Sequence, residues 1–369
     1  MSDAGIRRIA INTGGGDAPG LNAVIRASVL AALGEGWECV GIQDGYNGLL
    51  EPGRYEEGGL ISLGRREVQG ITHLGGTILG TTNRGDPLAY PVQQPDGSWT
   101  EVDRSDELIR AFSVAGIDAL IAVGGDGSMR IADALYRKGL PVVGVPKTID
   151  NDLEETSVTF GFDTAVTFAT ECIDRLHTTA EAHDRLMVVE VMGRYAGWIA
   201  LHAGLAGSAD AILIPEIPYD LEPVAAKIAA REAMGRHFSI VVVAEGAHPV
   251  GGERSVISDE PGKAERLGGI GQRVADRLEE MTGKETRTVV LGHLLRGGGP
   301  TTRDRIVSLR FGAAAVRGLR EGSAGCMVAL DPPIVRYVPL EEVTGRMKCV
   351  PIDSDTVRTV RDLGISLGD

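Results

Sequence analysis

The stretch Asp118–Asp152, DALIAVGGDGSMRIADALYRKGLPVVGVPKTIDND, decides the fold. It contains two apolar runs, Ala119–Val123 and Val142–Val145, and each predicts a buried strand of a parallel sheet. The first run ends in the turn Gly124–Ser128, which opens an amphipathic helix, and the second ends in the polar turn Pro146–Asp152. Because ligands of open α/β sheets bind outside the carboxyl ends of the strands, both turns are predicted to face one crevice.

The residue types in this crevice favour phosphoryl transfer. Glycines let backbone N–H groups approach an anion closely, and the helix that follows them begins with partial positive charge. An aspartate beside a polyphosphate, here Asp126, usually acts through Mg²⁺, which prefers one or two carboxylates plus phosphate oxygens. A second aspartate nearby can receive the proton of an attacking hydroxyl. Alternatively, Asp126 only caps a helix while Asp150 and Asp152 only close a turn, but the two motifs together favour the chemical interpretation.

Length, charge and cysteine usage limit the class of protein. The 369 residues are enough for one large α/β domain or two smaller ones. A net charge of −14 argues against nucleic acid or an anionic membrane as the main partner, although local arginines can still bind an anionic substrate. Four scattered cysteines predict isolated buried thiols in a reducing compartment. The start MSDAGIRR leads directly into a strand without a signal or transit peptide, so a cytoplasmic protein is expected.

Two more glycine-rich turns occur before the central stretch. Ile9–Asn12 predicts a strand, and TGGGDAPG at 13–20 follows it as a turn suited to phosphate that lacks the closing Lys-Ser/Thr of a Walker A loop. The sequence HLGGTILGTTNRGDP at 73–87 is another such turn and contains Asn83 and Arg84. Residues 90–103 are polar and turn-rich, which predicts a surface hairpin or loop without chemistry.

Polar residues also follow the predicted strands of the second half. Leu186–Val191 predicts a strand that ends in Met-Gly-Arg, and Arg194 at that position suits a phosphate clamp, with a surface ion pair as the alternative. Glu245 follows a second predicted strand, and His293 and Arg296 follow a third. The predicted strands of this half are Leu186–Val191, Ala211–Pro215, Ile240–Ala244 and Thr288–Leu291. Strand–helix alternation throughout predicts a doubly wound α/β fold with mostly parallel sheets, in two Rossmann-like halves with the active site in the cleft between them.

Five motifs in a fixed order resemble the phosphofructokinases. They are GGGDAPGLNAVIR, GGDGS, PKTIDND, VVEVMGRYAG and ETRTVVLGHLLRGG, and the resemblance spans roughly residues 8 to 330. It implies transfer of a phosphoryl group from a nucleotide or pyrophosphate to O1 of fructose 6-phosphate, with Mg²⁺ as cofactor. It also implies a homodimer or homotetramer with sites shared between subunits. The implied division is a donor-phosphate half at 1–150, a sugar-phosphate half at 151–330 and a tail at 331–369 that packs back on the core.

The resemblance also implies a role for each matching residue. Asp150 corresponds to the base for the O1 hydroxyl, Thr148 to a residue at the reacting centre and Arg194 to the arginine that steadies the transferring phosphoryl group. The implied donor-binding residues are Gly15, Gly16, Asn83, Arg84, Gly125, Asp126, Gly127, Ser128 and Lys147, with Asp126 serving the metal. The implied substrate-binding residues are Thr148, Asp150, Asp152, Arg185, Met192, Gly193, Arg194, Glu245, Arg287, His293 and Arg296. Arg185 and Arg287 match arginines that a neighbouring subunit contributes.

Two positions disagree about the phosphoryl donor. Lys147 is typical of the pyrophosphate-using and mixed branch of the family, whereas Gly127 keeps the nucleotide form of its motif. We expect ATP as donor, because an acidic side chain at 127 would exclude a nucleotide whereas the lysine is compatible with either donor. Ile131 stands where nucleotide-dependent members often carry a glycine against the adenine. A pyrophosphate-dependent enzyme is the alternative, a non-catalytic sugar-phosphate-binding subunit is less favoured, and sedoheptulose 7-phosphate stays open as an acceptor.

Overall fold

Strands and helices alternate along most of the chain. The computed structural model describes residues 5–253, 256–258 and 266–369. The strands are β1 (Arg8–Thr13), β2 (Glu38–Ile42), β3 (Leu60–Ser62), β4 (Tyr90–Gln93), β5 (Trp99–Val102), β6 (Ala119–Gly124), β7 (Val142–Pro146), β8 (Leu186–Val191), β9 (Ala211–Leu213), β10 (Ser239–Ala244), β11 (Val256–Ser258), β12 (Arg266–Leu267), β13 (Thr286–Val290), β14 (Cys326–Asp331) and β15 (Ile334–Pro339). The helices are α1 (Leu21–Gly34), α2 (Asn47–Leu50), α3 (Ser105–Val114), α4 (Asp126–Arg137), α5 (Phe162–Ala182), α6 (Trp198–Ala206), α7 (Leu221–Ala233), α8 (Ile270–Thr282), α9 (Thr302–Glu321), α10 (Leu340–Val343) and α11 (Asp355–Asp362). Within the described ranges, no helix is both long and apolar enough to span a membrane.

The chain forms two compact units and passes between them more than once. The first unit consists of Met1–Thr148, Leu153–Gly161 and Arg296–Met347, and the second of Ile149–Asp152, Phe162–Leu295 and Lys348–Asp369. The first crossing coincides with the division expected near residue 150. Residues 296–330 pack in the first unit instead of the second, and the tail expected as one piece is divided after Met347. Contacts within each unit explain both differences.

The first unit is built on a seven-stranded sheet in the order β15-β14-β7-β6-β1-β2-β3. The five inner strands are parallel, and β15 and β3 pair antiparallel at the two edges. Helix α9 lies directly on α1, where a side chain at Gly312 would come 2.5 Å from the carbonyl oxygen of Val24. The Ser28 hydroxyl donates to the carbonyl of Gly312 at 3.3 Å. This close helix contact, together with β14 beside β7, is why the segment after Leu295 returns to the first unit.

The second unit is built on a four-stranded parallel sheet in the order β13-β8-β10-β9. Its core combines strand residues such as Val188 and Val241 with Val274 of α8, all of them buried. The end of the chain extends this sheet at the β9 edge, because the N–H of Ile212 donates to the carbonyl of Ser366 at 2.8 Å. That bond explains why the last segment belongs to the second unit.

The strands predicted from apolar runs are confirmed. Residues 90–103, expected to be a surface hairpin or loop, form the hairpin of β4 and β5, and β15 lies near the start of the tail. Strand β14 was not predicted, although CMVALD has the apolar character of a buried strand.

The four cysteines are all free, as expected, but only Cys39 is buried. Cys172 and Cys326 are partly exposed and Cys349 is exposed, so the expectation of four buried thiols is wrong. The sequence showed that these residues are isolated, whereas their exposure depends on packing between distant segments.

Candidate active site

The first glycine-rich turn joins β1 to α1 in the first unit. Gly15 has a φ of +76°, a left-handed conformation that favours glycine. The N–H of Gly14 donates to the carbonyl of Val123 at 2.9 Å, which ties this turn to the end of β6. Because β1 and β6 are neighbouring parallel strands, the two predicted turns lie side by side at their carboxyl ends.

The second turn opens helix α4. Gly125 precedes the helix, and Asp126 is its first residue. The Ser128 hydroxyl lies only 2.8 Å from where a side chain at Gly14 would begin, so the two turns can approach only because Gly14 lacks a Cβ atom. Gly127 is exposed and has no atom within 4 Å of the position of a Cβ atom. The start of α4 therefore offers an open surface lined by backbone N–H groups.

Lys147 brings a positive charge into the first turn. It is 3% exposed, and its own N–H donates to the carbonyl of Gly124 at 2.9 Å. Its ammonium donates to the carbonyl of Gly16 and lies 3.4 Å from where a side chain at Gly15 would begin. The glycines, the start of α4 and this ammonium together form an arrangement suited to binding phosphate oxygens.

The loop after Gly80 borders the same turn. The Thr81 hydroxyl donates to the carbonyl of Gly15 at 2.5 Å, and the N–H of Gly15 donates to the carbonyl of Thr82 at 3.1 Å. The Asn83 amide oxygen lies 3.9 Å from where a side chain at Gly15 would begin. Arg84 follows and is exposed. The structure therefore brings Asn83 to the turn, and its role in donor binding stays a prediction.

Arg296 lies at the first glycine-rich turn, although its implied role is in sugar-phosphate binding. Its Nη1 donates to the carbonyl of Asp17 at 3.0 Å, and its Cζ lies 2.8 Å from where a side chain at Gly16 would begin. Sequence reasoning missed this contact because the two positions are 279 residues apart. The role of Arg296 stays a prediction, and its guanidinium adds a second cation beside the glycines.

Asp126 offers one carboxylate at the start of α4. The side chain is exposed, and its Oδ1 accepts the N–H of Gly345 at 3.1 Å. Among the described residues, no group of three or more His, Cys, Asp and Glu side chains could hold a metal ion. A metal at this position would therefore depend on a carboxylate together with ligand oxygens, which is the arrangement typical of Mg²⁺ beside a polyphosphate.

In the second unit, three strand ends bring Arg194, Glu245 and His293 to the same edge of the sheet. Val191 and Ala244 are paired residues at the ends of β8 and β10. The N–H of Glu245 donates to the carbonyl of Val191 at 2.9 Å, and Gly246 N–H donates to the carbonyl of Gly193 at 3.1 Å. The end of β13 leads into the short 3₁₀ helix Gly292–Arg296, which carries the exposed His293. Met192 and Gly193 lie in the same group of turns.

The turn with Asp150 and Asp152 is held by a residue from the end of the chain. The N–H of Lys348 donates to the carbonyl of Asp152 at 3.0 Å, and its ammonium lies 3.3 Å from the Asn151 amide oxygen. The indole of Trp198 donates to the carbonyl of Lys348 at 2.8 Å. Asp150 is half-buried. Sequence reasoning missed Lys348 and Trp198, since neither stands in a recognised motif.

Thr148 ends the first segment of the first unit. Its carbonyl accepts the hydroxyl of Thr159 at 2.7 Å, which anchors the chain where it leaves β7. Thr148 is half-buried. The contact fixes the backbone immediately before the aspartate turn.

Arg185 and Arg287 lie together, at the opposite ends of the strands from Arg194 and His293. Arg185 precedes β8, and Arg287 lies in β13, where it is paired with Met187 of β8. Both guanidinium groups contact the carboxylate of Glu285, with an N–O distance of 2.9 Å for Arg185. The hydrogen bond from Arg185 lowers the pKa of Glu285. The six residues of β8 separate Arg185 from Met192 by about 20 Å. Within the second unit, Arg185 and Arg287 are therefore remote from Arg194.

Comparisons with known proteins identify the family of this chain. A phosphofructokinase family profile matches residues 8–319. The chain is 53% identical over 363 residues to an ATP-dependent 6-phosphofructokinase of Chloroflexus aurantiacus, with 98% of each chain covered. It is 47% identical over 350 residues to a pyrophosphate–fructose 6-phosphate 1-phosphotransferase of Amycolatopsis mediterranei, which covers 94% of this chain and 97% of that one.

The fold is also that of a solved phosphofructokinase. The pyrophosphate-dependent enzyme of Marinobacter aquaeolei superposes with a TM-score of 0.78 at 22% identity, over 99% of this chain and 93% of that one. Similarity at this low identity concerns the fold, whereas the family profile and the curated relatives cover almost the whole sequence. The protein described here belongs to the phosphofructokinase family.

Proposed function

We propose that this protein is an ATP-dependent 6-phosphofructokinase that transfers the γ-phosphoryl group of ATP to O1 of fructose 6-phosphate. The observation that carries the proposal is the phosphate-binding arrangement of the first unit. There the turn at 14–16, the start of α4 and the buried ammonium of Lys147 offer backbone N–H groups and a cation to one anion. Strong similarity over nearly the full chain to relatives named ATP-dependent 6-phosphofructokinase supports the choice of reaction.

Asp126 fits the role of a Mg²⁺ ligand beside the donor. It is exposed at the start of α4, and one of its carboxylate oxygens is held by the Gly345 N–H, which orients the side chain. Mg²⁺ bound there would neutralise charge on the donor phosphates. Phosphoryl transfer has a loose transition state, so the protein contributes mainly positioning and charge stabilisation, for which Lys147 and Arg194 are suited.

Asp150 is the proposed base for the O1 hydroxyl. The proton leaves late in a loose transition state, so a positioned carboxylate is sufficient even though free aspartate has a pKa of about 3.9. Asp150→Asn keeps the volume and removes the proton acceptor. We expect kcat to fall by about 10²–10⁴-fold with little change in fructose 6-phosphate binding. The test compares steady-state kinetics with calorimetric binding of fructose 6-phosphate and with thermal unfolding. A variant with near-normal kcat would remove Asp150 from this role.

Arg185 and Arg287 are proposed to bind the phosphate of fructose 6-phosphate in a neighbouring subunit. Their remoteness from Arg194 within the unit and their shared contact with Glu285 support this proposal. Each Arg→Ala change should weaken fructose 6-phosphate binding by roughly 1.5–3 kcal/mol, as for a charge-assisted hydrogen bond.

The shared site can be tested with mixed oligomers. The Arg287→Ala protein is dissociated and reassembled with the Asp150→Asn protein, and each is also reassembled alone as control. Complementary sites in hybrid oligomers should restore activity above both controls. If hybrid oligomers are shown to form and gain no activity, the arginines do not bind fructose 6-phosphate in a neighbouring subunit. The homo-oligomer and a cytoplasmic location are parts of the same proposal.

Pyrophosphate is the second candidate donor, because Lys147 places a buried cation in the donor turn and one close relative is named for pyrophosphate use. The deciding measurement is kcat/KM with ATP and with pyrophosphate, using fructose 6-phosphate and then sedoheptulose 7-phosphate as acceptor. Clear preference for pyrophosphate would overturn the ATP assignment. Saturable sugar-phosphate binding without turnover from any donor would support a non-catalytic subunit.

A further inference from the structure

The segment that follows Met347 lies against the aspartate turn, Ile149–Asp152, in the second unit. The backbone N–H of Lys348 donates to the carbonyl of Asp152 at 3.0 Å, and its ammonium donates to the amide oxygen of Asn151 at 3.3 Å. Lys348 therefore contacts two consecutive residues of the turn, one through its backbone and one through its side chain. It stands outside the five motifs and beyond the residues that the family profile matches, and the proposed function assigns it no role.

Asn151 is the residue whose conformation determines how the turn presents its carboxylates. It has a φ of +53°, in the left-handed region that residues with a side chain rarely adopt. Such a conformation costs free energy and persists where surrounding contacts hold it. Asn151 is 4% exposed, whereas Asp150 and Asp152 on either side of it are half-buried. A hydrogen bond to the buried Asn151 amide therefore helps to fix the direction of both carboxylates.

Lys348 is itself held by the start of α6. The indole N–H of Trp198 donates to the carbonyl of Lys348 at 2.8 Å, and the ammonium lies 5.4 Å from the centre of the indole ring. A cation at this distance over an aromatic ring is attracted by the electrons of its face. Trp198 thus contacts the lysine at its carbonyl and at its ammonium, which restricts the orientations that the side chain can adopt.

Glu216 joins the start of α6 to the same segment. Its Oε1 accepts the N–H of Gly197, immediately before Trp198, at 3.0 Å and the N–H of Val350 at 2.8 Å. A side chain at Gly197 would begin 2.4 Å from the Cβ of Ile214, so the start of α6 is closely packed against the end of β9. The segment is therefore held at Val350 as well as at the lysine, and all of these contacts lie within the second unit.

We propose that Lys348 is a positioning residue that holds the aspartate turn so that the Asp150 carboxylate is directed at the O1 hydroxyl. The inference rests on the proposed function, which makes Asp150 the base, and extends it to a residue that acts on the reaction through Asp150. A displacement of about 1 Å at a reacting group can cost about 10²-fold in rate. Trp198 has the same role at one remove, because it holds the lysine.

The test changes the side chain of Lys348, which leaves its backbone bond to Asp152 in place. Lys348→Met keeps most of the apolar stem and removes the ammonium, whereas Lys348→Arg keeps a cation that can form the same contacts. Lys227→Met is the matched control. Lys227 of α7 is also half-buried, and its ammonium lies 3.6 Å from where a side chain would begin at Gly364, in the same C-terminal segment. Each variant is characterised by steady-state kinetics with ATP, by calorimetric binding of fructose 6-phosphate and by thermal unfolding.

We expect Lys348→Met to lower kcat by roughly ten- to hundred-fold, as for a misplaced reacting group. The affinity for fructose 6-phosphate and the midpoint of thermal unfolding should stay close to those of the unmodified protein. Lys348→Arg should recover most of kcat. Trp198→Phe keeps an aromatic ring and loses the N–H donor, so it should lower kcat by a smaller factor than Lys348→Met. Lys227→Met should behave as the unmodified protein.

The decisive comparison repeats Lys348→Met in the Asp150→Asn background. Effects of independent residues on the rate multiply, whereas residues that act as one unit show smaller combined effects. If Lys348 acts through Asp150, its replacement should lower kcat of Asp150→Asn by less than about twofold, because the base that it directs is already absent.

The inference is overturned if Lys348→Met leaves kcat unchanged, if the loss appears in fructose 6-phosphate affinity instead, or if the effects of the two substitutions multiply. It is also overturned if Lys348→Arg is as slow as Lys348→Met. Absence of turnover with every donor in the unmodified protein would instead contradict the proposed function. Hydrogen exchange of the amides at 149–153 then decides about Lys348. Faster exchange in Lys348→Met than in Lys227→Met would support its hold on the turn, and equal exchange would overturn it.

Discussion

Replacement of Gly127 by aspartate tests directly whether the start of α4 selects the donor. Gly127 is exposed, and no atom lies within 4 Å of the position where a Cβ would be placed. The protein can therefore accept a side chain there without rearrangement. A negative charge in the first turn of a helix is also favourable, by typically about 0.3–1 kcal/mol. The variant should fold as stably as the unmodified protein.

The expected effect on ATP follows from Coulomb repulsion. One carboxylate about 5 Å from one phosphate charge costs about 0.8 kcal/mol at a dielectric constant of 80 and about 3.3 kcal/mol at 20. Those limits correspond to a loss in kcat/KM of roughly 4- to 250-fold for each phosphate charge that has no compensating cation. The side chain also occupies space that a nucleotide needs, so a loss near the upper limit is expected for ATP.

The assay is kcat/KM for ATP and pyrophosphate in Gly127→Asp, with Gly127→Asn and Gly127→Ala as controls. Asparagine has nearly the same volume without the charge, so the difference between Asp and Asn isolates electrostatic repulsion. Thermal unfolding checks that all three variants are folded. The reasoning is refuted if the aspartate variant uses ATP within about twofold of the asparagine variant.

Two further predictions concern packing and cysteine reactivity. Gly312→Ala should lower the midpoint of thermal unfolding, because overpacking against the carbonyl of Val24 in α1 costs typically about 1–3 kcal/mol. Gly34 is exposed and has no atom near its Cβ position, so Gly34→Ala should raise the midpoint through the higher helix propensity of alanine. A rise of the midpoint in Gly312→Ala would contradict the close α1–α9 contact. Burial raises the pKa of Cys39 to about 12, so at pH 8 iodoacetamide should label the exposed Cys349 first, as followed by mass spectrometry. Equal labelling rates in the folded protein would refute that order.

The strands were predictable because their signal is local. The runs at 119–123 and 186–191 are continuous and apolar, and the structure has strands there that differ by a residue at most. The meeting of the glycine turns at 14–16 and 124–128 was not predicted, since the turns expected to face one crevice were those at 124–128 and 146–152. The return of residues 296–347 to the first unit was not predictable, because the contact of Gly312 with Val24 joins positions 288 residues apart and periodicity does not identify a partner.

The candidate site was predictable to the same extent. Residues that come soon after a strand, such as Asp126 and Arg194, could be placed at the strand ends because the strands themselves were predictable. Arg296 at the first glycine-rich turn and Lys348 at the turn with Asp150 and Asp152 could not be predicted, because long side chains make these contacts between distant segments.

Lys147, which is typical of pyrophosphate use, and Gly127, which is typical of nucleotide use, lie at different places in the first unit. Lys147 is 3% exposed and its ammonium donates to the carbonyl of Gly16, so it lies inside the turn that we propose binds the donor phosphates. A cation there is attracted equally to pyrophosphate and to the terminal phosphates of ATP. Gly127 is on the open surface of α4, where no atom lies within 4 Å of the position of a Cβ atom. On the proposed function, we therefore expect the lysine in the turn to strengthen binding of either donor, and the residue at 127 to select between donors.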